Sequence, residues 1–453
     1  MSRPSDRRTF LKHAAAITGA VSGALALPLS ITEASELDVW LSDEGAQALN
    51  DQRAPEVIAR DEAYWARIRG LYNLQPDVIN LDHGWTNPAP RNAMNELTAR
   101  ARMLEALPAE QLPKQWETIS TTKLRAALAA AMKVPATEIA LVRNATEALD
   151  TVLLGFPLKA GDEIVCSAHD YYATLDALEQ RRARDGVVLR TIKPPVPAPS
   201  MNALEALYVE AITSRTRLVL LTHPSNLTGQ YLPVRRITDH AHRVGAEVVV
   251  DGAQSLGLLE DPVLPLGCDY YGASAHKWLG APVGLGVLWM RPQHVPKIWP
   301  LIPPMKEEKG MARFEWIGTA PEYVNPASIP ALAIHTSIGA NRKAARLKYL
   351  SSYLRGRITR AFPNALFYAS HESSGTLTHI EFHDADPIAI QKRLRDRHGI
   401  LIQGMGGIRS DTSLRAIRAS PNVYTSIAEI DRFVVAASKE IPLLANELNR
   451  TKQ

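Results

Sequence analysis

Residues 246–278 read AEVVVDGAQSLGLLEDPVLPLGCDYYGASAHKW, and this stretch decides the fold. The run EVVVD is strand-like and ends in Asp251, a carboxylate that is expensive to bury unless a cation or hydrogen-bond donor meets it. A second strand-like segment, YYGASAH, then delivers Lys277 among Gly, Ala and Ser residues, 26 positions after the aspartate. An amine that is partly desolvated loses its proton more readily, and a neutral amine forms a Schiff base with an aldehyde. Taken alone, Asp251 has a structural ion pair as its alternative reading.

Outward from this stretch, helix and strand patterns alternate. TTKLRAALAAAMKV (121–134) and ATEALDTVLLGF (145–156) have helical composition, whereas EIALVRN (138–144), DEIVCSAH (162–169) and RLVLLTHPS (217–225) are strand-like. VRRITDHAHRVG (234–245) reads as a helix and GLGVLWM (284–290) as a strand. Repeated βαβ order predicts an α/β domain with a mostly parallel sheet and helices on both faces. The 453 residues exceed what one hydrophobic core organises, so a second domain is expected. The expected organisation is a leader over 1–35, a helical arm over 36–75 that includes DEAYWARIRGLYN, a large domain over 76–328 and a smaller α+β domain over 329–453. The large domain closes with a Pro-rich segment over 293–328, and one long helix from about 329 to 362 opens the smaller domain.

Charge and cysteine content exclude several classes. Lys and Arg total 51 against 47 Asp and Glu, a formal net charge of +4 with no run of one sign, which argues against nucleic acid or a membrane surface as partner. The two cysteines, Cys166 and Cys268, lack metal-type spacing and read as buried small hydrophobes. At the start, SDRRTFLKHAAAITGAVSGALALPLS combines Arg7 and Arg8, an apolar run from Ala14 to Leu27 and an ALA at 24–26. This is the pattern of a twin-arginine signal, so the twin-arginine translocation machinery is an expected partner and the periplasm the expected location. A short amphipathic helix or an uncleaved anchor is the alternative.

Ligands of open α/β sheets bind beyond the carboxyl ends of the strands. Besides Asp251 and Lys277, two other sites follow strands. In RNATEALD, Asn144, Ala145 and Thr146 stand between a strand and a helix, where backbone N–H groups and a hydroxyl suit a phosphate, although an ordinary N-cap has the same sequence. In AHDYYATLDAL, Tyr171 or Tyr172 is placed to stack on a flat ring. An aldehyde for the lysine, a phosphate for the helix start, a ring for the tyrosine and a pyridinium nitrogen for the aspartate together describe pyridoxal phosphate. The GLG at 284–286 lacks the spacing of a dinucleotide loop and reads as a site of close backbone packing.

These motifs resemble those of the class V aminotransferase family, whose members have the fold type I architecture of pyridoxal phosphate enzymes: a large domain with a mostly parallel seven-stranded sheet and a smaller α+β domain. VDGAQSLG implies Asp251 on the pyridine nitrogen and Gln254 near the phenolic oxygen; SAHKW implies Ser274 and His276 on the phosphate and Lys277 as the Schiff-base lysine. The resemblance further implies Ala145 and Thr146 at the phosphate, Tyr171 on the ring and, from HPSNLTG, Asn226 beside the phenolic oxygen. RFEWIGTAP resembles a segment whose Gly-Thr pair reaches the phosphate of a neighbouring subunit, which implies a homodimer with Thr319 crossing over. LRAIRASPNVY implies Arg418 as clamp for a substrate carboxylate, with Arg415 as competitor. LDHGWTNPAPRNAM resembles the substrate-side loop of isopenicillin N epimerase-like members, with His83 or Asn87 facing substrate and a structural turn as the alternative. No cysteine follows Cys268, so sulfur abstraction by an attacking thiol is not expected. Transamination, epimerisation at Cα of an amino-acid or peptide-like substrate, and β-elimination remain open, beside a protein that only binds.

Overall fold

The structure is a computed structural model that describes residues 51–451, apart from 109, 111–118, 305–308 and 372. The leader read over 1–35 and the first part of the arm, 36–50, lie outside the described residues. The chain begins its described part with two short helices. In the second, Glu62–Arg69, the Asp61 side chain caps the N-terminus by accepting from the Tyr64 N–H, and Tyr64, Trp65 and Ile68 form the buried face.

Among the described residues, thirteen strands follow. Ile79–Asn80 (β1) precedes Ile139–Val142 (β2), Glu163–Ser167 (β3), Val188–Ile192 (β4), Thr216–Thr222 (β5), Glu247–Asp251 (β6), Tyr270–Ser274 (β7) and Gly286–Met290 (β8). Strands β2 to β8 form one seven-stranded sheet in the order β2-β8-β7-β6-β5-β3-β4. Only β8 runs against its neighbours, β2 and β7; the other pairings are parallel. The expected mostly parallel sheet is thus present, and its strands other than the edge strand β4 are buried along nearly their whole length because helices cover both faces.

The smaller sheet contains Leu366–Phe367 (β9), Thr378–Glu381 (β10), Gln403–Ile408 (β12) and Asp411–Ala419 (β13), antiparallel in the order β12-β13-β10-β9. Ile400–Leu401 (β11) pairs instead with β1, parallel. Arg69 bonds Glu429 and Glu62 bonds Arg346, so residues near 62–82 are tied to C-terminal elements rather than to the seven-stranded sheet. The single helix expected from about 329 to 362 is two helices, Val324–Ile338 and Ala340–Ala361. They break at Gly339, whose φ of 88° lies in the left-handed region that a helix interior does not use.

Two glycines set how closely a helix lies on the sheet. A Cβ on Gly272 of β7 would sit 2.9 Å from Leu149 Cγ and 3.0 Å from Ala148 Cβ of the helix Ala145–Gly155. A Cβ on Gly286 of β8 would sit 2.5 Å from Asn144 Cα, against backbone that cannot swing aside. The GLG therefore serves packing, and the turn before the helix is pressed onto the sheet beside Ser274. Gly286→Ala is expected to lower stability by at least about 1–3 kcal/mol through overpacking, read as a fall in apparent Tm. Gly356→Ala, in the helix Ala340–Ala361 with only the Arg360 guanidinium at 3.8 Å, is expected to be neutral or to raise it.

Candidate active site

The carboxyl ends of the central strands open onto a cavity of about 630 Å³. Parallel register brings Thr222 of β5 level with Asp251 of β6, and Asp251 level with Gly272 of β7. The same cavity receives Ala145, Thr146, Tyr171, Asn226, Gln254, Ser274, His276, Lys277 and Arg418, residues that span 274 positions of sequence between first and last (418 − 145 + 1).

Asp251 is buried, and its Oδ1 accepts from the Ala253 N–H at 3.0 Å. Burial raises its pKa, while that N–H and the charge of Lys277 pull it back. Burial pushes the Lys277 amine down to about 8 against the opposing pull of Asp251, with Arg418 lowering it a little further. A buried second carboxylate lies close behind. Asp170 accepts from the Ser167 N–H and the Thr222 hydroxyl, both at 2.7 Å, and burial, aided by the charge of Asp251, pushes it up to about 7.

At the helix start, Asn144 caps by accepting from the Glu147 N–H at 2.9 Å, and the Ser274 hydroxyl accepts from the Ala145 N–H at 2.9 Å. His276 is driven down to about 4, chiefly by burial and then by the charge of Lys277, and its buried Nδ1 has no partner among the described residues. Tyr171 and Tyr172 lie with centroids 4.3 Å apart, and the Tyr171 hydroxyl donates to that of Tyr172 at 3.0 Å. Tyr172 is the more exposed, so Tyr171 is the deeper wall of the cavity. Gln254 lines the cavity with its amide engaged: its Nε2 donates to the Gly84 carbonyl at 2.8 Å and its Oε1 accepts from Trp278 Nε1 at 2.7 Å.

Arg418 lies on β13 with its side chain buried. It donates to Asp82 at 2.7 Å and Gln403 at 3.1 Å, and its Nε has no partner among the described residues. Arg415, three positions earlier, turns outward and pairs with Asp386, which removes it as a competitor. Two other expectations are corrected. His83 and Asn87 do not line the cavity: Asn87 is buried in a network with His83, Asn422 and Tyr424, and the His83 ring packs edge-on against Tyr424. Their loop contributes to the site otherwise, through Gly84, Trp85 and the Asp82 carboxylate on Arg418. Thr319 is exposed and does not line the cavity of its own chain.

Sequence reading missed the hairpin β12–β13, whose residues 403–408 roof the cavity. A Gly-rich QGMGGI between two strand patterns was the available signal. The hairpin is anchored at Asp411, which accepts from His169 Nε2 at 2.9 Å and pairs with Lys193 at 2.8 Å.

The residues fit pyridoxal phosphate on observations of the fold itself. The His276 Nδ1 and the Asn226 Oδ1 are buried without partners, Asp251 has an oxygen beyond the one bonded to Ala253, and no hydrogen bond occupies the Thr146 hydroxyl among the described residues. Thr146, Ser274 and His276 would hold the phosphate at the helix start, Asp251 the ring nitrogen, Tyr171 the ring face and Lys277 the aldehyde. The sequence profile of the aminotransferase class-V family matches residues 79–433.

The chain belongs to the aminotransferase class-V family. Pyridoxal phosphate is its cofactor, and the chain is an enzyme of that family. It is 29% identical over 396 residues to an isopenicillin N epimerase of Streptomyces clavuligerus, covering 83% of this chain and 98% of that one. A cysteine desulfurase of Synechococcus elongatus is 33% identical over 222 residues, 44% of this chain and 35% of that one. Among solved structures, a cystine C-S lyase in complex with cysteine persulfide superposes with a TM-score of 0.72 at 23% identity, covering 80% of this chain and 98% of that one.

Because Lys277 must be neutral to react with an aldehyde, the rate at which the apoprotein captures the cofactor is expected to rise with pH and level off above about 8. Asp251→Asn removes the charge that holds the lysine up, so the plateau should move to lower pH. Stopped-flow absorbance across pH 6–10 reads both; an unmoved plateau in Asp251→Asn would show that the two groups do not interact.

Proposed function

We propose that this enzyme acts at Cα of an amino-acid or peptide-like substrate, with transaminase-type or epimerase-type chemistry, and does not abstract sulfur with a protein thiol. The observation that carries the reading is the convergence of Lys277, Asp251 and Arg418 on one cavity from which both thiols are excluded. Cys166 and Cys268 are buried in the core, and burial pushes the Cys166 thiol up to about 12 and that of Cys268 up as well. Neither is available as a nucleophile.

Pyridoxal phosphate, when bound, supplies an acceptor for the electrons released as a bond at the substrate Cα breaks. Arg418 binds the substrate carboxylate through its guanidinium, orienting the Cα–H bond; the Asp82 carboxylate and Gln403 keep that guanidinium in place. Lys277 Nζ, near neutrality at pH 8, takes the Cα proton as general base. Asp251 holds a positive charge at the ring nitrogen by remaining a carboxylate, which the Ala253 N–H supports. The Gly-rich hairpin roofs the cavity and limits water. Return of the proton to Cα from the opposite side gives epimerisation, and its delivery elsewhere gives transamination.

We propose further that the mature enzyme acts after export through the twin-arginine route to the periplasm, a reading supported by Arg7, Arg8 and the apolar run that follows them. That route carries folded proteins, which suits a chain that must bind its cofactor first. A homodimer is also proposed, with Thr319 on an exposed loop reaching a second copy's phosphate.

The test is incubation of the holoenzyme in deuterium oxide with L- and D-amino acids and short peptides. Exchange at Cα with inversion assigns epimerisation, formation of a keto acid that keeps its β-substituent while the amino group stays on the cofactor assigns transamination, and release of a β-substituent with ammonia assigns elimination. Cα exchange that persists unchanged in Lys277→Ala would overturn the role of that lysine. Arg418→Ala is expected to raise KM for carboxylate substrates about 10- to 100-fold, the worth of a charged hydrogen-bonded pair.

A further inference from the structure

We propose that the open side of the cavity is a subsite for a large, uncharged, apolar side chain, so that the enzyme selects aromatic and branched aliphatic substrates over small or ionic ones. This rests on the reading of Arg418 as the carboxylate clamp.

The first observation is an inventory of charge. Among the described residues lining the cavity, the charged side chains are Asp251, Lys277 and Arg418, and burial keeps His276 neutral at pH 7. Asp251 and Lys277 are committed to the cofactor and Arg418 to the substrate carboxylate. No cation remains for an acidic side chain and no anion for a basic one. An ionic side chain entering here would lose water without gaining a partner.

The second observation is what stands at the mouth. Trp85 is 61% exposed, Val283 68%, Tyr172 57% and Ile388 49%, and all four line this one cavity. Single exposed apolar side chains are ordinary, but several gathered around one concavity mark a binding surface. Met405 and Ile408 of the hairpin continue the apolar wall inward. The hairpin lies close enough to Ile388 that a Cβ on Gly406 would sit 3.1 Å from Ile388 Cγ1. The apolar wall and the Arg418 guanidinium share strands β12 and β13, which pair Gln403 with Arg418 and Met405 with Ala416. A substrate held by its carboxylate at Arg418 therefore has its side chain within reach of this wall.

The experiment separates this inference from the reaction. Carboxylic acids without a primary amine bind without turnover, so the holoenzyme is titrated with acetate, succinate, 5-(trimethylammonio)pentanoate, 4-methylpentanoate and 3-phenylpropionate, reading the cofactor absorbance. The expected order places 3-phenylpropionate and 4-methylpentanoate about 10- to 100-fold tighter than acetate, with succinate and 5-(trimethylammonio)pentanoate no tighter than acetate. Ile408→Asn, polar but uncharged, should weaken 3-phenylpropionate about tenfold or more and acetate far less, since acetate has no side chain to meet the wall. Succinate or 5-(trimethylammonio)pentanoate binding as tightly as 3-phenylpropionate overturns the subsite. So does an Ile408→Asn variant that changes the oligomeric state by light scattering but not the affinities, since the wall would then face another copy of the chain. Acetate affinity that is indifferent to Arg418→Ala would instead remove the clamp, and with it the basis of the functional reading.

Discussion

A carboxylate and an amine share one buried cavity, and the rest of the site is arranged around their mutual dependence. Burial drives Asp251 toward its protonated form and Lys277 toward its neutral one, while each charge opposes the shift of the other. The useful state lies between these limits: an aspartate that stays ionised against a pyridinium, and a lysine that gives up its proton near neutral pH. Strands β6 and β7 set the pair: Asp251, the last residue of β6, lies level with Gly272, and β7 runs on to Ser274 just before Lys277.

A second layer of buried polar groups steadies the lysine segment. The Lys343 amine donates to the Trp278 carbonyl at 2.7 Å and meets His335 Nδ1 at 3.0 Å, with burial pushing it down to about 7. The Trp278 indole bonds Gln254, whose amide reaches the Gly84 carbonyl. The backbone N–H of Asn87 donates to the His276 carbonyl at 3.1 Å. Asn87 thus supports the cofactor side of the site through its main chain rather than meeting substrate with its side chain.

Much of this site was legible because the chemistry of a strand end is local. Asp251 after EVVV, Lys277 after YYGASAH and the cap at Asn144 each stand beside the pattern that places them. His83 and Asn87 were misread because a polar residue in a Gly, Asn and Pro-rich loop can face either side, and only the packing of Tyr424 and Asn422 turns them inward. The helix break at Gly339 escaped notice because apolar periodicity continues across it, whereas a single positive φ does not show in a pattern of side chains.

The sequence by itself determined the α/β architecture and the cofactor, since periodicity and residue type at strand ends carry them, and it marked Asp251 and Lys277 there as the candidate pair; Arg418 was named only through resemblance to the class V family. Tertiary structure alone decided which polar groups share a cavity and which are spent on packing. It paired Arg418 with Asp82, 336 positions away, turned Arg415 out to Asp386, and folded a Gly-rich hairpin over the cofactor pocket between apolar side chains scattered from Trp85 to Ile408. The reason is that direction, burial and the supply of partners depend on contacts between elements distant in the chain, and no local pattern of residues encodes them.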